Sequence, residues 1–113
     1  MVEYSLHLDS IFASLSDPTR RDILQRVVKQ ELSIGEIAGP YDLTFAAVSK
    51  HLKVLEKAKL IVKQRRGKQQ FVRAAPQALA DADEYLRRYR ELWENRLDSL
   101  EEYLKQEDRY GRQ

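Results

Sequence analysis

Apolar residues recur at spacings of three and four along most of this chain, the period that is typical of amphipathic helices. The spacing predicts a first helix over about residues 4–15 and a second helix that begins at Pro18. Asp17 can accept hydrogen bonds from the free amides of the second helix, and Pro18 fits its first turn, where a missing N–H costs nothing. The first helix is indicated by the helical spacing of Leu8, Ile11, Phe12 and Leu15, and the predicted buried stripe of the second helix is Ile23, Leu24, Val27 and Val28.

The next two predicted helices are short, and a turn of about five residues separates them. Ser33, with a glutamate three residues later, forms a capping box that opens a third helix, and Gly39-Pro40 ends it. Thr44 caps a fourth helix over about residues 45–58. This arrangement predicts a helix-turn-helix motif whose second member is the recognition helix.

At about 100° per residue, the recognition helix has an apolar face made of Phe45, Val48, Leu52 and Leu55. The residues on the opposite face of such a helix read base edges in the major groove, mainly from its first two turns. A lysine there can bind guanine O6 or N7, or only a phosphate, and the sequence leaves both possibilities open. The candidate base-reading residues are Ala46, Ala47, Ser49, Lys50 and Lys53.

Four residues in or near this helix have two possible roles each. Thr44 is expected to act as a cap that can also touch phosphate. His51 lies about 70° from the centre of the apolar face. Its side chain can therefore pack or form a structural hydrogen bond, or it can contact DNA. Arg20 and Arg21 begin the second helix and need an anionic partner there, either DNA phosphate or an acid such as Asp17.

A basic hairpin is predicted directly after the recognition helix. Strand-forming residues at 60–62 and 71–72 flank Arg66-Gly67-Lys68, a turn that Gly67 makes easy. A hairpin in this position is a wing, whose tip lies against the phosphate backbone or reaches a minor groove. Arg66 suits insertion into a narrow minor groove, and phosphate attraction is the other role for the wing cations. The candidate wing residues are Arg65, Arg66 and Lys68.

Pro76 opens a last, long helix with a near-heptad apolar seam that runs from Leu79 to Leu104. So broad an apolar face exceeds what a domain of this size can cover, so we expect the helix to pack against a second copy of itself. A helix folded wholly onto its own domain and an aromatic effector pocket at Tyr85, Tyr89 and Trp93 are the alternatives. The dimerisation residues, called the terminal seam below, are Leu86, Tyr89, Trp93, Leu97 and Leu100.

The charges are distributed unevenly along the chain. The net charge is only +2, but residues 44–73 contain nine Lys or Arg and a single acid, Glu56. A basic segment inside a nearly neutral chain indicates a local binding site for a polyanion such as double-stranded DNA, although a solvated lysine-rich face has the same composition.

Other classes of function find little support in the composition. The absence of cysteine excludes disulfides, thiolate metal sites and cysteine nucleophiles. No HExxH or glycine-rich phosphate loop is present, and neither histidine has triad-like neighbours, so we expect no enzyme and no cofactor. No apolar run approaches 18 residues, and the N-terminus lacks the pattern of an export signal, which predicts a cytoplasmic protein without a membrane span.

Three segments in this order and spacing resemble the ArsR group of winged-helix repressors: DPTRRDIL at 17–24, ELSIGEIA at 31–38 and AVSKHLKVLEKAKLI at 47–61. The resemblance covers about residues 8–75. It implies a cytoplasmic prokaryotic homodimer that binds a palindromic operator and blocks transcription. The S-x-H-L pattern at 49–52 further implies that His51 contacts DNA. The remaining sequence is similar to the branch often encoded beside START-like proteins of the Hsp90-activator type.

The chain departs from the metal-sensing members of that group. Those members place a cysteine pair in the third helix, where this chain has Leu32-Ser33-Ile34-Gly35. Other members build a zinc site on the terminal helix, but here no histidine follows Asp81 and Asp83. Metal sensing of these kinds is therefore not expected.

These observations predict a mostly α fold with a small β-hairpin, that is, a winged helix-turn-helix with a long C-terminal dimerisation helix. Residues 1–106 are expected to form one DNA-binding domain that includes N- and C-terminal dimerisation helices, followed by a polar, frayed tail at 107–113. The predicted function is sequence-specific DNA binding by a homodimeric repressor. The alternative is a winged-helix module that uses its basic face to bind an acidic protein. The sequence identifies neither the operator nor a small-molecule effector.

Overall fold

A computed structural model describes the backbone of residues 2–111 and the side chains of residues 7–108. Contacts divide the chain into two compact units, Met1–Ala82 and Asp83–Gln113. The elements within the described residues are α1 (Val2–Ser14), α2 (Pro18–Lys29), β1 (Leu32–Ser33), α3 (Ile34–Ala38), α4 (Phe45–Lys57), β2 (Ile61–Arg66), β3 (Gln69–Ala74) and α5 (Pro76–Gly111). The predicted mostly α fold with a long C-terminal helix is confirmed. None of the described helices is both long and apolar enough to cross a bilayer.

The predicted capping residues begin the helices. Asp17 accepts a hydrogen bond from the backbone N–H of Arg20 at 3.0 Å at the start of α2. Ser33 and Glu36 form both hydrogen bonds of a capping box at the start of α3, at 3.1 and 2.9 Å. The backbone N–H of Ala47 donates to Thr44 Oγ1 at 3.1 Å at the start of α4. Each cap satisfies an amide that the first turn of a helix leaves without a partner.

The sheet has one strand more than the predicted hairpin. Strands β2 and β3 are antiparallel, with Ile61 opposite Ala74 and Arg66 opposite Gln69, and Gly67 at the turn has a φ of 62°. The two-residue strand β1 adds to the other edge of β3, with Leu32 opposite Val72. The predicted two-stranded hairpin is confirmed, and β1 is a third strand that the sequence did not indicate, because two residues are too few to show an alternating pattern in sequence.

The core of the first unit lies between the helices and the inner face of the sheet. Ala78 and Ala82, from the first turns of α5, also belong to this core. The largest fully buried apolar side chains are Ile11, Ile23, Ile37, Val48, Leu52, Leu55, Leu60 and Val72. These residues fix α3 and α4 relative to the sheet, which determines the position of the recognition helix beside the wing.

A left-handed residue turns the chain from α4 into the wing. Lys59 has a φ of 61°, and the backbone N–H of Leu60 reaches back to the carbonyl of Leu55 at 3.0 Å. This is the long bond of a Schellman motif, which ends a helix and redirects the chain sharply. Because Leu60 is fully buried, the first residue after the turn anchors the beginning of the wing.

The C-terminal helix extends further than the sequence indicated. It is continuous to Gly111, so the predicted frayed tail after Gln106 is helical over most of its length. In the second unit, α5 carries exposed ion pairs between Glu84 and Arg88 and between Glu101 and Lys105, each four residues apart. Such pairs stabilise a solvent-exposed helix modestly, which accounts for helix in a segment rich in charged residues.

Candidate nucleic-acid interface

The recognition helix buries one face and leaves the other in solvent. Val48, Leu52 and Leu55 are fully buried, as the sequence predicts. On the opposite side Ala46, Lys50 and Lys53 are exposed, and Ala47 and Ser49 are half-buried beside them. Three of the five candidate base-reading residues thus lie on the exposed face of α4, and the other two lie on its half-buried flanks.

His51 packs against the junction between α1 and α2. Its Nδ1 lies 3.5 Å from Nη1 of Arg20 and 3.9 Å from Oδ2 of Asp17. With Arg20 donating, His51 accepts at Nδ1 and carries its proton on Nε2. The side chain is half-buried, which agrees with a structural hydrogen bond. His51 therefore ties the recognition helix to the preceding helical corner.

Arg20 has a different set of partners from the one that the sequence indicated. Its Nε donates to the carbonyl of Ser14 at 2.7 Å, and its Nη2 donates to the carbonyl of Ala13 at 3.1 Å. These carbonyls belong to the last turn of α1, where helix carbonyls lack partners and attract cations. The backbone N–H of Arg20, together with the charge of its guanidinium, lowers the pKa of Asp17 below its ordinary value. The cluster joins the end of α1, the start of α2 and the middle of α4.

Two of the wing candidates project into solvent. Arg65 and Lys68 are exposed on either side of Gly67, and Nε of Arg65 donates to the carbonyl of Gly67 at 3.3 Å. Neither side chain forms an ion pair among the described residues. Both cations are therefore available to a phosphate at the tip of the wing.

Arg66, the third wing candidate, is engaged within the protein. Its two terminal nitrogens lie 2.7 and 2.9 Å from the two carboxylate oxygens of Glu31, a paired geometry that is typical of a strong arginine–carboxylate contact. The guanidinium also stacks over the ring of Phe71, 4.8 Å from its centroid. Arg66 thus joins the wing to the segment between α2 and β1.

A second ion pair holds the base of the wing. Lys63 Nζ lies 3.4 Å from Glu56 Oε1, and the lysine side chain is only 16% exposed. Glu31 and Glu56 therefore neutralise two of the nine cations between residues 44 and 73. Across the described side chains, the other seven have no ion pair within 4.0 Å: Lys50, Lys53, Lys57, Lys59, Arg65, Lys68 and Arg73.

A groove of about 290 Å³ separates the recognition helix from the wing. Phe45 and Ser49 line it from α4, Lys68 lines it from the turn of the wing, and residues 33–35 and 69–70 complete it. Phe45 is 62% exposed, so its predicted place on the buried face was wrong. Its position at the first residue of the helix explains this, because the core covers α4 only from Val48 onward. Helical periodicity alone does not reveal where coverage begins.

The terminal seam is exposed throughout. In the second unit its five residues keep between 48% and 63% of their surface, with Tyr89 the least exposed and Trp93 the most. Their neighbours Leu92, Tyr103 and Leu104 are exposed as well. Tyr89, Leu92, Trp93 and Arg96 form an open concavity on this helix, and the rings of Tyr85 and Tyr89 meet edge to face at 5.1 Å.

The described residues contain no cluster of three His, Asp or Glu side chains that can hold a metal ion. His7 instead pairs with Asp81, with 3.3 Å between Nε2 and Oδ2. The other oxygen of Asp81 accepts a hydrogen bond from Gln77 at 3.0 Å. These contacts join α1 to the first turns of α5 within the first unit.

Comparison with known proteins places these features in a family. The helix-turn-helix domain family matches residues 15–64. Transcriptional repressor SdpR of Bacillus subtilis is 34% identical over 65 residues, which are 58% of this chain and 70% of that protein. HTH-type transcriptional regulator Rv2034 of Mycobacterium tuberculosis is 36% identical over 72 residues, 64% of this chain and 67% of that protein.

A solved structure extends the similarity to most of the chain. An ArsR-like transcriptional regulator from Rhodococcus sp. RHA1 superimposes with a TM-score of 0.73 at 28% identity. The superposition covers 87% of this chain and 92% of that protein. In this chain, the elements run in an order that places a recognition helix directly before a wing.

Proposed function

The chain belongs to the ArsR-type winged helix-turn-helix transcriptional regulators, and we propose that it represses transcription as a homodimer bound to a palindromic operator. The observation that carries this proposal is the unneutralised basic surface of α4 and the wing. Seven cations of one short segment lack an ion-pair partner among the described side chains, and all of them except Lys59 lie on α4 or on the hairpin of the wing.

In this proposal the first two turns of α4 lie in the major groove. Lys50 and Lys53 bind guanine O6 or N7 or the adjacent phosphates, and Ser49 bonds to a base edge. Ala46 and Ala47 allow the helix to approach closely and can meet a thymine methyl group. Thr44 caps the start of the helix and His51 ties its flank to the corner between α1 and α2; in this proposal both also touch phosphate.

The wing cations divide between two tasks. Arg65 and Lys68 bind the phosphate backbone or a minor groove beside the recognition helix. We assign to Arg66 the task of holding the wing in place, since Glu31 occupies both of its terminal nitrogens. A wing fixed in this way meets the DNA without first losing conformational freedom, which favours binding.

The terminal seam is proposed to pair with the same seam of a second copy. Full burial of a large side chain is worth roughly 1.5–3 kcal/mol, and about half of each seam side chain is still exposed. Five residues from each chain therefore offer roughly 8–15 kcal/mol toward the cost of association, which is about 4 kcal/mol or more. A two-fold dimer then presents two recognition helices to successive major grooves about 34 Å apart. Such a complex covers a promoter and excludes polymerase from it.

We further propose that the chain belongs to a branch of the family without metal ligands, the branch often encoded beside START-like proteins. It acts by binding rather than by catalysis, in the cytoplasm of a prokaryote, where the chromosome lies. Zinc, copper and arsenite are expected to leave operator affinity unchanged, because a tetrahedral site needs ligands that the described part of this chain does not bring together. Calorimetry on tag-free protein that finds one metal per chain would contradict this.

The proposal is tested by selecting bound fragments from random DNA and titrating the selected site in a gel-shift assay. We expect a palindromic consensus and an affinity that falls steeply with salt. Replacing Lys50 and Lys53 together by alanine should weaken binding by about 1–3 kcal/mol for each base that these lysines read. If they touch only phosphates, the salt slope should instead fall by about one for each phosphate that they neutralise.

Lys105→Ala is the matched control, because Lys105 lies in the second unit and pairs with Glu101. It should leave both the affinity and the salt slope unchanged. A protein that selects no sequence and binds DNA only weakly would favour the interaction module for an acidic protein instead. Unchanged binding after removal of both lysines would exclude α4 from the interface.

A further inference from the structure

Phe45 is a large apolar side chain at a position where the fold does not use it for packing. It is the first residue of α4, directly after the Thr44 cap, and 62% of its surface is exposed. A single exposed apolar residue needs no explanation in itself. However, Phe45 lies in the first turn of the recognition helix, and the N-terminal residues of such a helix contact base edges in the major groove.

The neighbours of Phe45 belong to the proposed DNA-binding surface. At about 100° per residue, Phe45 lies about 40° from Ser49 and about 100° from Ala46 around the helix axis. Together with Ser49 and Lys68 it lines the groove between the recognition helix and the wing. Phe45 therefore presents an apolar ring in the same groove as two groups that are suited to base edges and phosphates.

Only one group on the major-groove edge of DNA matches an apolar ring. Guanine, cytosine and adenine present hydrogen-bond donors and acceptors there, whereas thymine adds a methyl group at C5. Phenylalanine is among the side chains that make apolar contact with this methyl group. Contact with a purine edge would instead leave polar base atoms without partners, which is costly.

We propose that Phe45 is a specificity-determining residue that packs against the 5-methyl group of a thymine in each half-site. The inference rests on the proposed function, since it requires α4 to lie in the major groove. It adds a defined chemical feature to the operator, which is a thymine at one fixed position of each half-site. Phe45 selects this thymine against cytosine by apolar contact rather than by hydrogen bonding.

The test replaces each thymine of the selected operator by uracil, symmetrically in both half-sites, which removes only the methyl group. At one position the wild-type protein should lose about fourfold in affinity per half-site, the value expected for one buried methyl group, or about fifteenfold for the palindrome. The Phe45→Ala variant should bind the thymine and uracil forms of that position equally. Because the uracil series is first measured on the wild-type protein, it does not depend on how well any variant folds.

Val54→Ala is the matched control, because Val54 is an apolar residue of the same helix that is 39% exposed but lies in its third turn. It should keep the full uracil penalty of the wild type. Equal penalties for the wild type and Phe45→Ala at every position would overturn the proposal, and so would a wild type that is indifferent to uracil throughout. A Phe45 ring that inserted between base pairs, rather than packing against a methyl group, would leave the wild type indifferent to uracil. Failure of the proposed function is recognised separately, because the protein would then select no sequence at all.

Discussion

The unit Met1–Ala82 buries most of the apolar stripes of its helices, whereas the unit Asp83–Gln113 leaves its apolar stripe exposed. The largest exceptions in the first unit are Phe45 and Val28; Val28 was predicted to be buried, but it is 56% exposed. Both stripes follow the same spacing of three and four residues. In the first unit Ile23 and Leu52 are fully buried, while in the second Leu97 and Trp93 keep 54% and 63% of their surface. Apolar residues at the same spacing in the sequence are therefore mostly buried in the first unit and exposed in the second.

The difference lies in what each unit provides as a packing partner. The first unit has helices and a sheet that surround one core, so each stripe meets another apolar surface. The second unit is a single helix, which has no opposing surface of its own within the described residues. A large exposed apolar stripe is typical of a surface that contacts another molecule, which supports the proposed dimerisation.

The largest expected effect comes from placing a charge in the terminal seam. Trp93→Asp should remove roughly 2 kcal/mol of apolar burial from each chain of the dimer, or about 4 kcal/mol in total. This is about a thousandfold in the dimer dissociation constant. Light scattering should then find monomers, and gel shifts should find the palindromic site unbound at concentrations that saturate the parent.

Asn95→Asp is the control for this variant, because it introduces the same residue about 200° away around the same helix. It should leave the dimer and its DNA binding intact. A parent protein that is monomeric, or a Trp93→Asp protein that remains dimeric, would contradict the assignment of the seam.

The next effect compares the same substitution in the two units. Leu52→Ala should lower the free energy of unfolding by about 2–5 kcal/mol at every protein concentration, because it opens a cavity in a closed core. Leu97→Ala should instead destabilise the protein in a concentration-dependent way, since its packing partner is a second chain. Urea unfolding at two protein concentrations distinguishes these behaviours, and a concentration-independent loss of stability at Leu97 would argue against dimerisation through α5.

A smaller effect separates two neighbouring arginines of the wing. Arg66→Ala should reduce the free energy of unfolding by about 1 kcal/mol, because it removes both the Glu31 pair and the stacking on Phe71. Arg65→Ala should change stability by less than about 0.5 kcal/mol, as is usual for exposed residues, but should weaken operator binding. The double variant Glu31→Gln and Arg66→Ala should be no less stable than Arg66→Ala alone. An Arg66→Ala protein as stable as its parent would show that the internal pair contributes little.

The smallest effect is the response of the first unit to acid. Hydrogen bonds from the backbone N–H groups of Arg20 and Ser33 lower the pKa values of Asp17 and Glu36, respectively. Groups with lowered pKa values stabilise the fold above their ordinary values near 4, and this contribution is lost as the pH falls through the lowered values. The double variant Asp17→Asn and Glu36→Gln keeps acceptor oxygens at both caps but cannot titrate. Between pH 5 and pH 3, its free energy of unfolding should fall less than that of the parent; parallel curves would disprove the link.

Much of the fold followed from the sequence because its determinants are local. A cap and its amide lie three residues apart, as in the pair formed by Ser33 and Glu36, and helical stripes repeat within four residues. The candidate DNA-binding set followed in the same way from the outward face of α4 and from the turn at Gly67, and it still awaits direct measurement. The sequence also predicted that the terminal seam has more apolar surface than one short chain can cover, and the seam is exposed in the structure.

The tertiary structure decided which side chains meet across long separations. Arg66 is 35 residues from Glu31, and their contact depends on how β1 joins the edge of β3. A strand of two residues is too short to be predicted from the sequence. Phe45 satisfies the helical period of a buried residue, yet it is exposed because the core begins one turn later. Periodicity gives the direction of a side chain around its helix, but burial also depends on whether another element extends far enough to cover it. Only the packed arrangement of helices and sheet supplies that information.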